Sequence, residues 1–184
     1  MPDRLLPGGF VAVALAGAVL AAVGTGCVLC RRQVVAAGGL YMRYFFSAEL
    51  CYHEVKVEGT KLTYTYYVAP DTLRCWMIQV PCYADSDLKT VTMKLPRNDA
   101  RELAHVVNRS GFLKLPDTCG DTGTRQRCYA YVVTAADYCG SVEKTVVYRS
   151  SPEAGAPPES FIQVAASLAQ AVKRNFGHDV ALPR

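Results

Sequence analysis

Histidine is scarce in this chain: it occurs three times in 184 residues, at His53, His105 and His178, and never in pairs at metal-ligand spacing. His53 lies between Cys51 and Glu54 as a possible half-site, but no second ligand pair follows to close the four-ligand shell of a structural zinc. His105 is expected to be exposed on a helix, His178 to lie in the C-terminal tail, and His53 to face solvent on a strand. No GxSxG elbow, HExxH helix, phosphate-binding loop or dinucleotide fingerprint occurs. Asp117 and Asp121 share a loop with Thr118 and Thr122, without the spacing of a calcium loop. Asp99 and Glu102 stand where a helix N-terminus wants acids. These absences point to a non-catalytic protein with no cofactor and no bound metal.

A strong charge of one sign is also missing. Three of the 20 Lys+Arg and one of the 16 Asp+Glu precede residue 38, so the rest of the chain carries 17 against 15. No basic stripe is interleaved with exposed aromatics, which argues against a nucleic-acid partner.

Cysteine, by contrast, is plentiful. Six of the eight, Cys51, Cys75, Cys82, Cys119, Cys128 and Cys139, lie beyond residue 38, an even set that reads as disulfides in an oxidising compartment. Fifteen pairings are open to six cysteines. Loop context favours Cys119 with Cys128 across a polar loop containing Gly120 and Gly123, and Cys75 with Cys82. Elimination then leaves Cys51 with Cys139.

Long apolar runs are confined to the start. Residues 5–30 carry no charge, and the 21 residues from Phe10 to Cys30 are almost wholly Ala, Val, Leu and Gly. That is long enough to cross a bilayer as a helix, so residues 9–30 are expected to meet the membrane. Three readings compete for this segment. Its length fits a retained anchor. Gly24-Thr25-Gly26-Cys27 is similar to a lipobox with Cys27 as the acylated residue, although Gly24 stands where a branched aliphatic residue is usual. Ala36 and Ala37 offer a cleavage site, but Arg31 and Arg32 interrupt its approach. Cys27 and Cys30 form a CxxC spacing inside the apolar run, where acylation at the membrane interface suits them better than redox or zinc chemistry. Arg31, Arg32 and Arg43 after the run would keep the domain inside by the positive-inside rule. The cysteines argue for outside, and lipid-anchored or processed chains escape that rule. The expectation is a segment of residues 1–37 tethering a domain of residues 38–184 that faces the periplasm or the cell exterior.

Within that domain, residues 98–116 are the organising stretch. Asn98 or Asp99 caps a helix whose apolar stripe is Ala100, Leu103, Ala104 and Val107. Gly111 closes it, Phe112 folds back, and Pro116 stops it. Asn108-Arg109-Ser110 has the form of a glycosylation sequon. Strand patterns precede the helix at residues 40–46, in a hairpin turning at Gly59, and at residues 89–95. Two more follow at residues 128–134 and 142–148. Trp76, Met77 and Ile78 read as core or as an apolar loop tip. A final amphipathic helix spans residues 158–175, with Phe161, Val164, Ala165, Leu168, Val172 and Phe176 on one face. The fold class is α+β: an antiparallel sheet of about five or six strands with both helices on one face, preceded by an N-terminal hydrophobic helix.

The succession of Arg101 to Pro116, with its Gly111-Phe112-Leu113-Lys114-Leu115-Pro116 ending, then a tyrosine-rich strand, Pro157-Pro158 and a closing helix resembles the small α+β domain of emfourin-like protease inhibitors and of bacterial lipoproteins. The resemblance implies that fold over residues 40–176 and, as one function, inhibition of a protease; it carries no individual residue across. The leading expectation is an exported, membrane-tethered, non-catalytic interaction domain whose ligand the sequence does not identify, with an unknown protein among the candidate partners.

Overall fold

The strand at the centre of the sheet, β1 (Leu40–Ala48), alternates buried Leu40, Met42, Tyr44 and Phe46 with half-buried Tyr41, Arg43, Phe45 and Ser47. That period of two gives the sheet one sealed face and one open one. A computed structural model describes residues 35–48, 50–69, 83–121, 129–138 and 142–183, all within one unit spanning Val34–Arg184. The apolar N-terminal segment, Cys27, Cys30, Cys75, Trp76, Met77, Ile78, Cys82, Cys128 and Cys139 lie outside the described residues. Among the described residues no helix is long and apolar enough to cross a membrane.

After β1 come β2 (Cys51–Glu58), β3 (Lys61–Tyr67), β4 (Leu88–Lys94), α1 (Arg97–Ser110), β5 (Thr118–Gly120), β6 (Tyr129–Asp137), β7 (Glu143–Ser150) and α2 (Glu159–Phe176). The fold is α+β, and the sheet has seven strands in the order β4-β3-β2-β1-β6-β7-β5. It is mixed rather than antiparallel, because β5 runs parallel to β7. Periodicity gave no sign of β5, a three-residue strand of Thr, Cys and Gly.

α1 begins at Arg97 with Pro96 at the N-cap position and no side-chain cap, not at Asn98 or Asp99. Proline's fixed φ and missing N–H suit a helix start, which makes a polar cap dispensable. At the other end Gly111 takes φ +84°, and Phe112 turns back into the core with no exposed surface. Asn108 is not a free sequon asparagine: its Oδ1 accepts from the Val35 N–H at 2.9 Å and its Nδ2 donates to the Val35 carbonyl at 2.9 Å. This two-point clamp fixes where the chain enters the domain.

α2 crosses the sealed face. Phe161 near its start packs on Tyr148 of β7, and Phe176 at its end packs on Tyr64 of β3. The tail beyond it returns over the same face, where the Tyr44 hydroxyl donates to the Ala181 carbonyl. Both helices and strands β1, β2, β3, β6 and β7 feed one core of Leu40, Met42, Tyr44, Val55, Leu62, Leu103, Phe112, Val133, Tyr148 and Leu168.

Of the cysteines, the described residues include Cys51 and Cys119; both carry free thiols, and no disulfide joins the described residues. Cys75, Cys82, Cys128 and Cys139 lie outside the described residues, and with them the pairings Cys119–Cys128, Cys75–Cys82 and Cys51–Cys139.

Candidate functional site

Among the described residues no helix lies on the open face. Alternation brings Tyr41, Arg43 and Phe45 of β1, Tyr52, Glu54 and Lys56 of β2, and Thr63, Thr65 and Tyr67 of β3 onto it. Arg43 pairs with Lys56 across the β1–β2 ladder, with Glu54 diagonal to it. Like charges directly opposite repel, and the diagonal carboxylate resolves the conflict. Arg43 Nε and one terminal nitrogen each lie 2.7 Å from Glu54 Oε1, and Lys56 Nζ lies 3.1 Å from the same oxygen. The Tyr52 hydroxyl donates to Oε2 at 3.3 Å.

Glu54 is almost fully covered, at 9% exposed. Burial alone would raise its carboxyl pKa, but the hydrogen bonds and charges of Lys56 and Arg43 outweigh that and hold it below the usual range. The neighbouring Tyr52 is pushed up to about 12, first by burial and then by the Glu54 charge and hydrogen bond. The carboxylate thus stays ionised and the phenol protonated across physiological pH. The hub fixes side chains in place rather than moving protons.

An aromatic chain runs outward from this hub. The Arg43 guanidinium lies 5.1 Å from the centre of the Phe45 ring, a cation–π distance. Phe45 meets Tyr52 edge-on at 5.6 Å, Tyr52 meets Tyr83 at 5.7 Å, and Tyr83 meets Tyr67 at 5.7 Å. Tyr83 is tied down by a 2.5 Å hydrogen bond between its hydroxyl and Ser47. Around the cluster, Thr63–Thr92, Thr65–Thr90 and Thr134–Thr145 pair their hydroxyls across neighbouring strands. The result is a laterally bonded surface of tyrosine, phenylalanine and arginine.

The sequence-derived metal half-site is taken apart by the pleat. Glu54 faces the open side, while Cys51 and His53 face the helices, and no group of three His, Cys, Asp or Glu side chains is placed to hold a metal among the described residues. His53 is half-buried instead of solvent-facing. Its Nδ1 lies 2.8 Å from the Tyr64 hydroxyl, and Tyr64 stacks on Tyr66, on which His178 of the tail also lies. Burial lowers the His53 pKa. The unfolded chain, titrating near about 6.5, then takes up a proton that the folded chain refuses, so stability should fall as pH drops through that value. His53→Gln is expected to flatten this decline, read from urea midpoints on either side of it; an unchanged slope would rule His53 out as its source.

His105 is exposed, as expected, and lines a groove of about 470 Å³ between α1 and α2. The groove's Arg109 and Arg174 sit in the last turns of their helices, where cations complement the backbone dipole. Asp117 forms an ion pair with Lys144. Cys119 has its thiol pKa raised by burial, which makes it a weak nucleophile. The hub and the aromatic chain could not be found from sequence, since neither register nor the position of Tyr83 is encoded in any local pattern. The alternation of aromatic and charged residues along β1 was the one available signal.

No protein-family model matches the chain. No curated protein matches it either.

Proposed function

We propose that this chain is an exported, membrane-tethered, non-catalytic binding module that engages a protein partner through the open face of its sheet. The observation carrying this reading is the face itself: Arg43, Phe45, Tyr52, Tyr67 and Tyr83 in one contiguous cluster, pre-ordered by Glu54 and Ser47. Tyrosine and arginine dominate the energetics of protein interfaces because each buries a large area at modest entropic cost while keeping a polar handle. A face already fixed by lateral bonds loses little freedom on binding. The apolar segment of residues 9–30 supplies the tether, with Cys27 as the acylated residue if the segment is processed as a lipoprotein. The even count of six domain cysteines in the sequence supports an oxidising exterior, against which stand the free thiols of Cys51 and Cys119.

The test is a photoreactive residue placed at Phe45 in living cells, with Gln163 on the exposed side of α2 as the comparison. A discrete protein adduct from position 45 alone, abolished by Arg43→Glu, is expected. Equal adducts from both positions would remove the open face from consideration. Titrating the purified protein against metallo- and serine proteases tests the rival: stoichiometric inhibition would move the chain to the inhibitor class implied by its resemblance to emfourin-like domains.

A further inference from the structure

The pairing registers set one residue from each of six strands in a single row across the open face: Thr92, Thr63, Lys56, Arg43, Thr134 and Thr145. The row spans five strand spacings, about 24 Å. Two cations stand side by side near its centre, with a threonine pair on either flank. The hydroxyls of Thr63 and Thr92 lie 3.3 Å apart, and those of Thr134 and Thr145 lie 2.9 Å apart. Thr92 and Thr145 are exposed and Thr63 is half-buried, whereas Thr134 is covered. The row itself contains no acid.

Like charges directly opposite in a ladder repel, so a central Arg–Lys pair needs an anion. Glu54 bridges the two, but it is one charge against two. Among the described residues no other acid forms an ion pair with Arg43 or Lys56. Their side chains keep 36% and 37% of their surface exposed, so the surplus positive charge is open to solvent. The neighbouring rows sharpen the contrast. Toward the Gly59 turn stand Lys94, Lys61 and Glu58 in register, and Glu58 also accepts a hydrogen bond from Tyr138. In the other direction come Glu54 and Phe45, then Tyr52 and Tyr67, with Asp85 and Asp87 beyond them on the chain leading into β4. On β7, Glu143 and Arg149 offset each other. The positive charge therefore gathers over the central row and the Lys61–Lys94 pair, and the aromatic end is acidic.

We propose that Arg43 and Lys56 seat a carboxylate from an acidic segment of the protein partner, and that this segment lies across the strands along the row. The inference rests on the exported binding-module reading above and adds the partner's chemistry to it. About seven extended residues cover the row. The carboxylate takes charge-assisted hydrogen bonds from the guanidinium and ammonium groups and supplies the anion that Glu54 alone does not. The segment's backbone meets the hydroxyls of Thr63, Thr92 and Thr145, and an apolar neighbour of the acid lies against Phe45 and Tyr52. The acids at the aromatic end oppose an acidic group placed there, which fixes where along the face the carboxylate sits.

The experiment displays peptides of about eight random residues and selects them on the full chain in detergent. Binders enriched in Asp and Glu are expected. Lys56→Gln, which leaves Glu54 bonded to Arg43, should weaken them about tenfold, and Arg43→Gln should do the same. Arg174→Gln on α2, an exposed arginine on a helix rather than on the sheet, should leave them unchanged. Acidic binders that ignore Lys56→Gln and Arg43→Gln overturn the seat. Binders without acidic enrichment that are lost with Phe45→Ala overturn the seat while leaving the open-face reading standing. Binders indifferent to all three sheet variants, or no binders at all, overturn both.

Discussion

Phe112→Ala is expected to remove about 3–5 kcal/mol of folding stability, a large share of what a domain of this size possesses. The ring has no exposed surface and lies in a single 3-10 turn at Phe112–Lys114, immediately after α1 ends at a left-handed glycine. Its position depends on that glycine. With Gly111 at φ +84° the chain reverses sharply enough to return Phe112 beneath the helix that it has just left. The ring belongs to the core shared by both helices, so truncating it opens a cavity between layers that cannot easily close. Leu113, one residue on and only half-buried, is the control: Leu113→Ala should cost less than half as much. Urea midpoints for the two variants decide. Equal losses would mean that the turn, not the ring, carries the stability.

The second large effect is local. Gly120→Ala is expected to detach β5 from β7 at a cost of about 2–3 kcal/mol in that region. Gly120 takes φ +85°, and a Cβ there would collide with the Arg149 carbonyl oxygen and press on the Tyr148 ring. Both obstacles belong to β7, the strand that β5 pairs with among the described residues. An alanine cannot keep both its backbone angle and its distance, so the three-residue edge strand should lift off while the rest of the sheet stays folded. Cys119 reports the event, because its half-buried thiol lies in β5 between the pairings of Thr118 and Gly120. Its reaction with a thiol reagent in the native state should speed up severalfold, with little shift in the global unfolding midpoint. A thiol that reacts at the native rate would mean that β5 accommodates the side chain.

These two positions also mark how far the sequence could be read. Gly111 followed by Phe112 was legible because a helix stripe, a glycine and a following apolar residue form a local pattern of a few residues. So were the Gly59 hairpin and both helices, where apolar periodicity repeats long enough to identify itself. β5 was not legible. Thr-Cys-Gly has no alternation, and parallel pairing with β7 is a long-range fact. Glu54 is the plainest case. In sequence it sits beside His53 like a metal ligand, and the pleat sends the two to opposite faces.

Every proposal made for this domain depends on its lying outside the cytoplasm. The direct measurement treats intact cells with a membrane-impermeant reductant and then a membrane-impermeant maleimide, quenches, lyses and unfolds the protein, and counts labelled cysteines. Labelling of Cys119 and Cys51 from outside, before any lysis, is the expected result. Domain thiols that stay unlabelled until the membrane is broken, and then all react in the lysate without a reductant, would place the domain in a reducing interior and contradict the account.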